Sequence, residues 1–72
     1  METTEEILNK LLERIQWCKK EAVACEEESR FWAKRGRFTL RDAWKRNAAS
    51  YREALALIEK RIESAIKEEG ND

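Results

Sequence analysis

Apolar positions recur along the chain at alternating steps of three and four residues. Leu8, Leu11, Ile15, Cys18, Ala22, Cys25, Ser29 and Trp32 make one such stripe. Leu40, Trp44, Ala48, Tyr51, Leu55, Ile58, Ile62 and Ile66 make a second. The spacing holds each set on one face of an α-helix, with charged residues between. Folding the chain back near Gly36 pairs the stripes so that facing residue numbers sum to 72–74. In that register small faces large where Ala22 opposes Tyr51 and Ser29 opposes Trp44, and Cys25 opposes Ala48. The pattern predicts an all-α fold, an antiparallel two-helix hairpin of coiled-coil character, dimerising into a four-helix bundle.

Local signals place the ends. Thr3 followed by Glu6 is a capping box, and Glu2, Glu5 and Glu6 suit the positive end of a helix dipole. Helix one is expected over about residues 4–35, with Lys34 and Arg35 in a last turn closed by Gly36 in the left-handed conformation. Residues 36–38 form the turn. Thr39, with Asp42 three residues on, caps a second helix over about residues 39–69, and Gly70, Asn71 and Asp72 are expected to fray. A connection this short forces the two helices to run antiparallel. Helix two uses more steps of four, which drifts its stripe toward a 3.6 period and argues for a gently supercoiled hairpin.

The chain has 72 residues and no proline, and Ala, Glu, Lys, Leu and Arg supply 43 of them. That composition belongs to long helices, and one domain spans residues 1–72. With 42% of residues charged and 42% hydrophobic, the ordered stripes argue against a disordered segment. No run approaches a membrane span, and the acidic start lacks the basic character of a secretory signal, so a cytoplasmic protein is expected. Cys18 and Cys25 lie seven residues apart on one helix, roughly 10 Å by helical rise, too far for a disulfide. They read as small buried residues in a reducing compartment. Without histidine, two thiols do not make a zinc site, and no metal or cofactor is expected.

Two surfaces fall outside the seam. Trp17, Ala24 and Phe31 repeat every seven residues, about 130° around helix one from the main stripe. On helix two, Ala43, Asn47, Ser50, Ala54, Leu57 and Arg61 form a groove of small residues with one leucine. The hairpin tip is the other. Between residues 30 and 46 the chain carries seven basic residues (Arg30, Lys34, Arg35, Arg37, Arg41, Lys45 and Arg46) against Asp42 alone, a net +6, so the remainder carries −6. Phe31, Trp32, Phe38 and Trp44 are interleaved with those charges. Pairing of the basic residues with Glu26–Glu28 and Asp42 across a turn is the simplest structural account of the tip, with Glu26-Glu27-Glu28 otherwise a solvated face and one member paired to Arg30. The acidic base and basic tip favour an antiparallel dimer.

Enzymatic chemistry has little support, since the chain holds no histidine, no glycine-rich phosphate loop and no nucleophile beside a base. No small-molecule substrate is expected. The sequence points to a module that binds another protein, itself, or both. Compact stand-alone helical proteins of this kind, including those of phages and mobile elements, serve by analogy as inhibitors, adaptors or regulators. Trp17, Phe31, Arg35, Arg37, Phe38 and Arg41 are the candidate partner-binding residues. A nucleic-acid accessory protein using the basic, aromatic tip is one alternative, and a purely structural oligomeric subunit is another.

Overall fold

The computed structural model describes residues 2–70 and consists of two α-helices, α1 (Thr4–Lys34) and α2 (Phe38–Gly70), packed against each other. The hairpin measures 56 × 18 × 15 Å, a single layer of helix.

Thr3 caps α1: its hydroxyl oxygen accepts from the Glu6 amide at 3.2 Å, and Glu5 and Glu6 occupy the first turn. At the other end Gly36 takes φ = +72°, the left-handed region that favours glycine. The Arg37 amide donates to the Trp32 carbonyl at 2.9 Å and the Gly36 amide to Ala33 at 3.1 Å. This nested pair is a Schellman motif, and it satisfies carbonyls that the last turn leaves open. The Arg37 carbonyl then accepts from Arg41 at 3.0 Å, which opens α2 at Phe38. The connection is therefore residues 35–37, one residue earlier than expected, and Thr39 lies inside the first turn instead of capping it. Residues 71–72, where fraying was expected, lie outside the described part, whereas Gly70 closes α2.

The seam follows the two stripes. Ile15, Cys18, Ala22, Cys25 and Ala48 are buried, and Ser29 is the one buried polar residue among those described. Leu8, Leu11, Trp32, Trp44, Tyr51, Leu55, Ile58 and Ile62 are half-buried. Two positions fall off. Leu40 and Ile66 are exposed, while Arg41 and Ala65 beside them are half-buried. The steps of four cause this, because a stripe of period 3.6 walks around the helix relative to its partner and misses the seam at the ends. Asn47, in the small-residue groove outside the seam, is exposed.

The core is thin. Among the described residues no large side chain is fully buried, and the residues at the centre of the seam are small. Domains ordinarily bury their apolar faces between two layers, and this chain supplies one.

Candidate interaction surface

Each candidate residue has a definite setting. Trp17 projects from α1 beside the seam and meets Tyr51 of α2 edge to face, centroids 5.4 Å apart. The expectation that Trp17 stands apart from the helix–helix packing is thus corrected. A large indole reaches over the shoulder of the seam that its Cβ direction alone does not face. Half of it stays in solvent, at 51% exposure.

Phe31 lies edge to face on Trp32, centroids 5.0 Å apart, and the Arg35 guanidinium sits 4.5 Å above the Phe31 ring. On α2 the Arg41 guanidinium covers Phe38 at 4.7 Å. Both are cation–π contacts, made possible by spacings of four and three residues on a helix. The geometry places both guanidiniums over phenylalanine rings, and Arg41 also donates through Nε to Asp42. Phe31 and Phe38 remain exposed on their outer sides, as do Arg35 and Arg37.

The tip charges are largely unneutralised. Glu26 does not pair with Arg30. Its carboxylate instead accepts from Arg52 on the facing helix, through Nε at 2.9 Å and also through Nη2. Asp42 pairs with neighbouring Arg41 at 3.0 Å. Among the described residues, Arg30, Lys34, Arg35, Arg37, Lys45 and Arg46 have no carboxylate within ion-pair distance. Of the pairings expected at the tip, the described residues show Asp42 with Arg41, whereas Glu26 pairs with Arg52 instead. Arg52 is four turns along α2 from its entry, and only the hairpin register brings it to Glu26.

Between the helices near the tip lies an open groove of about 330 Å³, lined by Glu26, Ser29, Arg30, Ala33, Arg41 and Lys45. Its floor carries the Ser29 hydroxyl, which donates to the Arg41 carbonyl at 3.0 Å. A second groove, toward the base, spans both helices between Leu11 and Arg14 on one side and Ala54, Leu57, Ile58 and Arg61 on the other. Leu57 stands 64% exposed beside it.

Both cysteines are free and buried. Burial raises the Cys25 thiol pKa above its ordinary value, and the carboxylates of Glu21 and Glu28 add to the effect. A thiol held neutral in this way is a packing residue and a poor nucleophile. Among the described residues no group of three or more His, Cys, Asp or Glu side chains could hold a metal ion, and no helix is long and apolar enough to cross a membrane.

The site residues fall into two settings, an aromatic face carrying Trp17 and Phe31 and a tip carrying Arg35, Arg37, Phe38 and Arg41, with Phe31 and Arg35 joining them. What sequence reasoning missed is the role of Tyr51 as the rest for Trp17 and of Arg52 in drawing Glu26 away from the tip. The arginine-on-phenylalanine pairs had a visible signal in their i, i+4 and i, i+3 spacings. Fold and surface together define a helical hairpin with an exposed aromatic face and a basic tip. No protein-family model matches the chain, no curated protein is significantly similar to it in sequence, and no solved structure matches it.

Proposed function

We propose that this chain is a protein-binding module, an inhibitor, adaptor or regulator that acts in the cytoplasm by occluding a surface of its partner. The observation that carries this reading is the pair of arginines laid on phenylalanines at a tip whose positive charge finds so few internal partners. Arginine and aromatic residues are the side chains that most often dominate binding energy at protein interfaces. Resting over Phe31 with no carboxylate within ion-pair distance among the described residues, Arg35 loses less freedom on binding a carboxylate than a free side chain does. Arg37 sits between them at the apex. The partner surface that fits is acidic, with an apolar patch to receive Phe38.

Capture from lysate of the cell that encodes the chain, repeated with the R35Q/R37Q/R41Q variant, tests this reading. The expected result is a discrete protein retained by the native chain, lost with the variant, and bound again when both components are purified. Equal retention by the variant, or no binding between purified components, rejects it.

A nucleic-acid reading draws on the same +6 tip. It is weaker because the phenylalanine rings that would stack on bases already carry a guanidinium on one face, and Trp32 and Trp44 are half-buried in the seam. Steeply salt-dependent binding of single-stranded RNA or DNA, abolished in R35Q/R37Q/R41Q, would favour it over the protein partner.

A further inference from the structure

Trp17, Ala24 and Phe31 on α1 and Ala43, Ser50 and Leu57 on α2 are two heptad rows. Each is rotated about 130° from its own seam, in the same sense. In an antiparallel pair, equal rotation in the same sense places both rows on one face of the hairpin. The groove that runs from Leu11 and Arg14 across to Leu57 and Arg61 bridges the two helices on that face.

The rows share a centre. Ala24 is the midpoint of one and Ser50 of the other. The Ser29–Arg41 contact sets Ala24 level with Arg46, and the Glu26–Arg52 contact sets it level with Ala54, so Ser50 lies midway between these limits. A two-fold axis lying in the face and crossing both helices at this level maps each row onto itself reversed. Trp17 then meets Phe31 of a second copy, Ala24 meets Ala24, Leu57 meets Ala43, and Ser50 meets Ser50. Bulk falls against bulk only where two aromatics can pack edge to face; Leu57 meets a small residue, and at the centre small meets small.

We infer that this face is closed by a second copy of the chain, arranged antiparallel, to give a four-helix bundle with Ala24 and Ser50 at its centre. Area and charge select that occupant. Covering most of a face 56 Å by 18 Å removes on the order of 800 Å² per copy, the size of a standard stable interface. The antiparallel arrangement also carries each +6 tip toward the other copy's base, where residues 1–14 and 59–72 together hold −4, and keeps the two tips apart. The parallel alternative sets +6 beside +6. Self-association rests on the aromatic face alone, so it goes beyond the protein-binding reading, and it leaves a basic tip free at each end of the bundle.

Sedimentation equilibrium of the full chain from 1 to 500 µM in reductant, with circular dichroism, tests the inference. The native chain is expected to reach the dimer mass, and W17A/F31A to stay helical while its dissociation constant rises at least 100-fold. A monomer mass at every concentration overturns the proposal, as does a W17A/F31A dimer of native affinity. Orientation is read from A24C and S50C, made separately and oxidised mildly, since native Cys18 and Cys25 are buried. Each variant is expected to cross-link to itself. Cross-linking only when the two variants are mixed would mean a parallel dimer and would overturn the arrangement. The same register brings Arg14 near Arg35 of the second copy, so R14E is expected to tighten the dimer several-fold, and a weaker dimer contradicts the register. Failure here leaves the tip reading intact, because R37Q/R41Q, whose positions lie outside the dimer face, tests that reading by itself.

Discussion

The Ser29 hydroxyl on α1 donates to the Arg41 carbonyl on α2 at 3.0 Å, tying the two helices together one turn below the connection. Ser29 is buried, so its hydroxyl needs a partner, and the first turn of α2 supplies one. A larger side chain at this point would have to push the helices apart where the turn allows least movement. Replacing Ser29 with alanine is expected to cost at most about 1.5 kcal/mol, the net worth of one hydrogen bond. Ser29→Leu is expected to cost about 1–3 kcal/mol through overpacking. Urea unfolding of both variants measures the difference, and equal stabilities would show that the seam is not tight here.

Ala22 is the most buried residue of the seam, at 1% exposure. Ala22→Leu is expected to destabilise the hairpin by about 1–3 kcal/mol. The same change at exposed Ala56 should stay within about 0.5 kcal/mol, since leucine is also a good helix former. A harmless Ala22→Leu, in the same unfolding assay, would mean that the helices slide or separate readily.

Gly36 takes φ = +72°, and a Cβ placed on it would meet nothing within 4 Å. The cost of Gly36→Ala is therefore conformational alone, about 1 kcal/mol, and Gly36→Asn is expected to cost less because asparagine tolerates the left-handed region. Equal stability of all three chains would show that the turn relaxes to another conformation.

Cys25 gives the stability a pH dependence of defined sign. Its folded pKa is raised, chiefly by burial and further by Glu21 and Glu28. Below the unfolded thiol pKa, about 8.5, both states keep the proton and the contribution is fully present. As pH rises from there toward the folded pKa, the unfolded chain ionises first and stability falls, by up to about 1.4 kcal/mol per pH unit. Cys25→Ala is expected to lose that part of the slope. Unfolding midpoints between pH 7.5 and 10 check it, and an unchanged slope in the variant would assign the dependence to other groups.

The Glu26–Arg52 pair links the helices at a partly exposed site, so solvent screens it. A double-mutant cycle with Glu26→Gln and Arg52→Gln is expected to return a coupling of about 0.2–1 kcal/mol. Glu26→Gln should also leave the tip's charge little changed, because Glu26 is not the tip's counter-ion.

Much of this architecture was legible in the sequence because it is built from short-range rules. Heptad-like spacing reveals a helix face directly, Thr3 and Gly36 mark ends through local backbone chemistry, and the small residues Ala22, Cys25 and Ala48 show where two helices approach closely. The aromatic face of Trp17 and Phe31 was legible for the same reason, since residues seven apart share a helix side. The partners of the long side chains were not. Trp17, Arg52, Arg35 and Arg41 each reach about a helical turn from their own Cα, so several neighbours compete and the choice depends on register to within a few ångströms.

The sequence by itself determined that there are two helices, that they fold back at Gly36, and which residues line most of the seam, because backbone periodicity and local capping decide those. The tertiary structure decided three things. It placed Leu40 and Ile66 outside the seam, as a stripe spaced in steps of four walks around its helix relative to the partner helix. It rested Trp17 on Tyr51 and turned Arg35 and Arg41 onto phenylalanines. And it gave Glu26 to Arg52 instead of to the tip, so that among the described residues the basic end keeps only the Arg41–Asp42 pair. Each of these depends on the relative position of two helices, a quantity no local pattern carries.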